Sequence, residues 1–238
     1  LYVVVAFRML PELVWSIPAK GTINLHASLL PNYRGAAPIN WALMNGEKTT
    51  GITTFFINDK IDTGDILKQS SVDISNNMNA GMLHDVLMKK GAELIVETLE
   101  GLEKGILSRE EQMDLAGLEI KHAPKIFKSD CQINWSDNRS LIHDKIRGLS
   151  PYPGAWSILY NKVKKTKVQF KFFSSSLLSE EKSQNKVNLK LGAHGILFPC
   201  KDGFLEVSEL QMEGKRRMHY KEFLAGNAEN FYFLEMNT

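Results

Sequence analysis

The stretch that most restricts the fold is LYVVVAF, Leu1 to Phe7, apolar on both faces of any strand it forms. Such a strand belongs inside a parallel-type sheet with helices on both sides. The residues after it supply that pattern. PELVWSIP reads as a short helical turn closed by Pro18, and GTINLHAS as a second strand. Pro38 opens a helix, PINWALMNG, ending at Gly46 as a C-terminal cap would. GITTFFIND and DILKQSSVDI are further strands, the first rich in β-branched and aromatic residues. From Asn79 onward, Leu83, Val86, Leu87, Leu94, Ile95, Thr98, Leu99 and Leu102 mark one face of a long helix. Residues 1–102 are therefore expected to form an α/β domain. Since LYVVVAF reads as an interior strand, the chain is expected to lack part of its natural N-terminal portion.

Residues 103–123 are charged and punctuated by glycine, and read as a linker. Beyond them the period changes. VKKTKVQFKFF alternates, with Val168, Phe170 and Phe172 on one face and Lys167, Gln169 and Lys171 on the other. That is a half-exposed antiparallel strand. A polar loop, FSSSLLSEEKSQNK, precedes short strands near 187–191, 194–200 and 203–210. Residues 124–238 are expected to form a small OB-like β-barrel, with a sandwich left open by periodicity alone.

Charge divides along the same boundary. Lys and Arg number 11 against 15 Asp and Glu in residues 1–123, and 18 against 12 in residues 124–238. The basic second half points to a polyanionic partner. No apolar run approaches the ~18 residues that cross a bilayer, so no membrane association is expected. Cys131 and Cys200 show neither a CxxC pattern nor metal-ligand spacing. A reducing, cytoplasmic setting follows, without a metal.

Chemistry concentrates in NLHASLLPNYRGAAP, Asn24 to Pro38. Asn24 and His26 lie two apart on a strand and share a face, while Leu25 points to the other side. They stand at the strand's carboxyl end, where α/β sheets place their sites. Alone, such a pair is also what a satisfied bridge from strand to loop looks like. NDKIDTGDIL adds Asp59, Asp62 and Asp65 at intervals of three, which is not the alternate-position spacing of a calcium loop. An aspartate held in that turn can instead face the imidazole, set its tautomer and stabilise the imidazolium. GxGxxG and P-loop sequences are absent, so dinucleotide and ATP use are not supported.

The run NLHASLLPNYRGAAPINWALMNGEKTTGITTFFINDKIDTGDIL resembles the folate-dependent formyltransferases. HAPKIFKSDCQINWS, IRGLSPYPGAW and GKRRMHYKEFLAGN extend the likeness over nearly the whole chain. The resemblance implies a Rossmann-like, N-terminally incomplete formyltransferase domain and a C-terminal tRNA-binding domain. It implies transfer of formyl from 10-formyltetrahydrofolate to the α-amine of initiator methionyl-tRNA. Asn24 and His26 would donate to the oxyanion, where losing one donor costs on the order of 10²–10³ in rate. Asp62 would orient His26 and help pass a proton towards the folate.

By the same resemblance, Ser28, Leu29, Leu30 and Pro31 would line the folate pocket. FRMLP, Phe7 to Pro11, and the turn before Asp62 would flank the pterin. Many family members carry a glycine and one more residue in that first loop, where this chain has Arg8. Lys215, Arg216 and Arg217 would meet tRNA phosphates, although a solvated charged turn has the same composition. A monomer is expected. Two alternatives share these residues: a 10-formyltetrahydrofolate hydrolase unit of a folate dehydrogenase, and a tRNA-binding module without turnover.

Overall fold

The computed structural model describes residues 1–6, 10–112, 120–161, 164–178, 189–231 and 234–236. They form two compact units. The first comprises Leu1–Ala42, Glu47–Met78 and Met82–Ile126, and the second Leu43–Gly46, Asn79–Gly81 and Phe127–Thr238.

The first unit is built on β1 (Tyr2–Val5), β2 (Thr22–His26), β4 (Thr49–Phe56) and β5 (Ile66–Asp73), in spatial order β1-β2-β4-β5. β1 and β2 run parallel, whereas β2–β4 and β4–β5 are antiparallel. The nine residues between β4 and β5 are too few for a parallel crossover, which needs about a dozen, so the two strands pair antiparallel. Short elements complete the sequence: α1 (Glu12–Trp15), β3 (Arg34–Gly35) and α2 (Pro38–Met44). Gly46, at φ 72, ends α2 by donating its N–H to the Leu43 carbonyl, 3.0 Å away.

The long helix α3 (Ala80–Glu103) presents a stripe of Leu83, Leu87, Leu94 and Thr98, all buried. Leu99 and Leu102 pack on a core of Ile23, Phe56 and Leu67. A Cβ at Gly91 would lie 2.6 Å from Leu25 Cδ2, so this glycine lets helix and sheet approach closely.

Among the described residues β1 pairs only with β2, and Tyr2, Val3 and Val5 are 42–53% exposed, an unpaired edge of the kind expected where an interior strand lacks a neighbour. The described part of 103–123 is not a free linker. Ile66 and Glu110 exchange two backbone hydrogen bonds, and the Arg109 guanidinium lies 4.0 Å over the Phe56 ring. β6 (His122–Ala123) then pairs with β3 in parallel. The sequence of this segment is polar, yet it is held by backbone pairing and a cation–π contact, neither of which needs an apolar run.

The second unit contains a seven-stranded antiparallel sheet. Its strands are β7 (Ala155–Asn161), β8 (Thr166–Leu177), β9 (Lys190–Leu191), β10 (Ile196–Cys200), β11 (Gly203–Met212), β12 (Met218–His219) and β13 (Leu234–Met236). The order is β13-β7-β8-β11-β10-β9, with β12 on β11. No pairing among the described residues joins β13 to β9. The helices are α4 (Arg139–Gly148) and α5 (Tyr220–Phe231), with a 3₁₀ turn at Ser129–Cys131.

Phe170 and Phe172, on the inward face of β8, are at most 1% exposed. Trp135 stacks on Phe198 with ring centroids 4.7 Å apart, and Phe172 meets both edge-on. The indole N–H of Trp135 donates to Ser157 Oγ at 3.0 Å, so the buried ring leaves no polar atom unpaired. Among the described residues no helix is long and apolar enough to cross a membrane.

Candidate active site

Asn24 and His26 occupy the end of β2, and both border a cavity of about 1080 Å³ within the first unit. They are 4% and 7% exposed. Asn24 lies opposite Val4 in the parallel pair and donates one amide N–H to the Val4 carbonyl at 3.1 Å. Its amide nitrogen has a second N–H to offer.

The imidazole of His26 is fixed on two sides. Nε2 lies 2.8 Å from the carbonyl oxygen of Tyr33, and Nδ1 lies 3.7 Å from Asp62 Oδ2. A carbonyl can only accept, so Nε2 is the protonated nitrogen and Nδ1 faces the carboxylate. The tautomer is thus set by Tyr33, not by Asp62 as expected from sequence. At 3.7 Å Asp62 is a charge neighbour rather than a hydrogen-bond partner. Its Oδ2 accepts the Gly35 backbone N–H at 2.8 Å, and its own backbone is left-handed at φ 53.

Tyr33 is itself braced. Its backbone N–H donates to the Lys121 carbonyl at 2.5 Å, and its hydroxyl donates to Glu47 Oε1 at 2.5 Å. Lys121 Nζ donates to the same carboxylate oxygen at 2.5 Å. Burial pushes the Glu47 carboxyl up, but the hydrogen bonds from Lys121 and Tyr33 outweigh it and hold the group below its usual 4.5.

Ser28, Leu29, Leu30 and Pro31 do not line the cavity. Hydrogen bonds secure their corner, which follows directly on the lining residue Ala27. Ser28 Oγ donates to the Asn32 carbonyl at 2.7 Å, and the Leu30 N–H donates to Thr53 Oγ1 at 3.2 Å. Gln69 Nε2 donates to the Leu30 carbonyl at 2.9 Å. The apolar lining of the cavity includes Leu10, Pro11 and Trp15, and Leu87, Met88 and Ile95 of α3. Phe7, Arg8 and Met9 lie outside the described residues. The turn before Asp62 does border the cavity, through Ile57 to Ile61.

The sequence reading missed three contributors: the Tyr33 carbonyl, the Gly35 N–H and Gln112. The first two are backbone groups with no signature in residue type. Gln112 donates to the Asp62 and Gly64 carbonyls and accepts from Arg34. The cysteines stand apart from this chemistry. Burial, then Asp202, pushes the Cys200 thiol up to about 12, and burial raises Cys131 as well.

In the second unit the basic turn is partly self-neutralised. Arg216 donates to Glu222 Oε2 at 2.5 Å, and Arg217 pairs with Glu209 while its guanidinium lies 4.5 Å over the Phe173 ring. Lys215 is exposed and pairs with no carboxylate among the described residues.

The fold, an α/β unit followed by an antiparallel unit, is shared with proteins of solved structure. The HypX protein of Aquifex aeolicus, solved in complex with tetrahydrofolic acid, aligns over 93% of this chain and 38% of that one, at TM-score 0.69 and 19% identity. WlaRD, a sugar 3N-formyl transferase solved with dTDP and 5-N-formyl-THF, aligns over 82% and 66%, at TM-score 0.62 and 22% identity.

Residues 1–99 match the family described as formyl transferase, and residues 125–228 its C-terminal domain; the chain belongs to the formyl transferase family. It is 48% identical to the methionyl-tRNA formyltransferase of Flavobacterium johnsoniae over 226 residues, covering 95% of this chain and 70% of that protein. The methionyl-tRNA formyltransferase of Bacteroides fragilis is 45% identical over 229 residues, with the same coverage of each.

Proposed function

We propose that the chain transfers the formyl group of 10-formyltetrahydrofolate to the α-amine of initiator methionyl-tRNA. The observation that carries this reading is the meeting of Asn24, His26 and Asp62 at one cavity, in a chain 48% identical to a methionyl-tRNA formyltransferase. The amine attacks the formyl carbon, a C–N bond forms, and the carbonyl oxygen gains negative charge. The free N–H of Asn24 and the Nδ1–H of His26, once that nitrogen is protonated, stabilise the oxyanion. Asp62 offsets the imidazolium charge. Collapse breaks the bond to the folate nitrogen, which takes the proton the amine gives up. The cavity holds the folate, and the exposed positive charge of the second unit meets tRNA phosphate. Both substrates belong to the cytoplasm.

Formylation of charged initiator methionyl-tRNA, followed on acid–urea gels with 10-formyltetrahydrofolate as donor, tests the reading. Formyl-methionyl-tRNA is the expected product, formed about 10²–10³ times more slowly, but still measurably, by Asp62→Asn. Formate release at the same rate without tRNA would instead favour a hydrolase. Binding of tRNA with neither product would leave only a tRNA-binding module.

A further inference from the structure

We propose that Gln112 is a positioning residue for formyl transfer. Its one side-chain amide ties Arg34 to the backbone of the turn from Asp62 to Gly64, and so sets where the Asp62 carboxylate stands against His26. The inference rests on the reading of Asn24, His26 and Asp62 just given.

Gln112 lies in the charged segment between the two family domains and is 9% exposed. Its Oε1 accepts from Arg34 Nε at 3.1 Å and from Arg34 Nη2 at 2.7 Å. Its Nε2 donates to the Asp62 carbonyl at 3.0 Å and to the Gly64 carbonyl at 2.8 Å. Both N–H groups and both lone pairs of the amide are therefore used. The orientation is forced: flipping the amide would set N–H against guanidinium and oxygen against carbonyl.

The turn it grips carries a left-handed residue. Asp62 sits at φ 53, a conformation that a non-glycine residue keeps only when its surroundings impose it. At the entry side, Asn58 Oδ1 accepts from the Lys60 N–H and from Thr63 Oγ1, each at 3.0 Å. At the exit side the Gln112 bonds act at Asp62 and Gly64, and the Phe56 N–H holds the Asp65 carbonyl at 2.9 Å. Arg34 is a sound anchor for them, because its own backbone pairs with β6 and its neighbour Gly35 donates to Asp62 Oδ2. Arg34–Gly35 thus grips Asp62 twice, through the carboxylate directly and through the backbone by way of Gln112. The carboxylate makes no hydrogen bond to His26, so this frame decides its distance from Nδ1.

The test compares Gln112→Met, which keeps the volume and removes all four bonds, with Gln112→Glu, which still accepts from Arg34 but faces the two carbonyls with oxygen. Both are assayed for formyl transfer alone and in the Asp62→Asn background. A site misaligned by about 1 Å loses up to roughly a hundredfold in rate, so kcat should fall about ten- to a hundredfold. KM for each substrate should stay within about threefold, as for a group acting on the transition state. In the Asp62→Asn background the added loss should be under about twofold, since both changes act through one carboxylate. Unchanged kcat in a folded Gln112→Met chain, or full additivity with Asp62→Asn, overturns the inference. If Gln112→Met fails to fold, Gln112→Glu decides by the same comparison. An unchanged kcat in Asp62→Asn alone overturns the site reading and this inference together.

Discussion

The Nε2–H of His26 donates to the Tyr33 carbonyl, 2.8 Å away, while Nδ1 stands 3.7 Å from Asp62 Oδ2. The two ring nitrogens therefore have separate tasks. Nε2 is committed to the backbone and keeps its proton, so Nδ1 is the nitrogen that gains or loses one. Tyr33 reaches that position through a left-handed backbone at φ 63, pinned by Lys121 and Glu47.

That division predicts opposite outcomes for two amides at this position. His26→Gln can place its N–H where Nε2 was and still hold the Tyr33 carbonyl, but offers nothing at Nδ1. His26→Asn places its amide where Nδ1 was. Turnover in His26→Gln should fall by about 10²–10³, the usual cost of a lost oxyanion donor. Folate binding, measured by fluorescence titration, should stay within a few fold, and His26→Asn should retain more activity. The assignment to Nδ1 fails if His26→Gln turns over as well as the native chain.

The basic turn carries a prediction that its sequence alone does not give. Arg216 and Arg217 already face Glu222 and Glu209, so Lys215 should contribute most to tRNA binding. Lys215→Met should lower the salt-dependence slope of binding by about 1, as expected for one lost phosphate contact. Glu222→Gln and Glu209→Gln, each releasing an arginine, should tighten binding. Filter binding across a salt series reads all three. Equal losses from Lys215→Met and Arg216→Met, with no gain from either glutamine, would show that the ion pairs do not govern this surface.

How much of this was legible follows the kind of group involved. Asn24, His26 and Asp62 could be found because side-chain chemistry at a strand end and in a turn leaves a residue pattern, read more sharply through the family resemblance. The α3 stripe and the alternation of β8 were legible for the same reason, since burial repeats with the period of the element. The Tyr33 carbonyl and Gly35 N–H were not, because every residue carries those groups. Gln112 was hidden by its neighbours: in SREEQM it looks like one more solvated polar residue, and only the fold buries it. β1 was legible as an apolar strand, and its exposed edge shows where a further neighbour would cover it. The support of the LLP corner was hidden as well, because Thr53 and Gln69, which bond its backbone, lie on other strands.

Acid should loosen the support behind His26 through Glu47. Its carboxyl is held below the usual 4.5 by Lys121 and Tyr33, against the opposing effect of burial. A group with a depressed folded pKa stabilises the fold fully above its unfolded value, and that contribution fades as pH falls through the folded one. Glu47→Gln should therefore lower Tm at pH 7 but narrow its gap to the native chain as pH drops below about 4.5. Thermal melts from pH 7 to pH 3 give the comparison. A gap that stays constant over that range would remove Glu47 from the acid response.

Gly64 and Gly105 separate close approach from backbone conformation. A Cβ at Gly64 would sit 1.7 Å from the Phe56 carbonyl oxygen and 2.9 Å from its carbon, both backbone atoms. Gly105 has φ 67 and nothing within 4 Å of a built Cβ. Alanine at Gly105 meets only the left-handed penalty, about 1 kcal/mol. Alanine at Gly64 must push β4 from the turn that carries Asp62, where the Phe56 N–H donates to the Asp65 carbonyl at 2.9 Å. Overpacking against backbone should cost about 2–4 kcal/mol. The same displacement moves the Asp62 turn, so Gly64→Ala should also lose turnover at a temperature where it remains folded. Gly105→Ala should keep its turnover. Urea denaturation of both variants gives the stability difference, and formyl transfer assayed well below both midpoints gives the activity. Equal stability losses, or native turnover in Gly64→Ala, would mean that the contact between Gly64 and Phe56 does not set the place of Asp62.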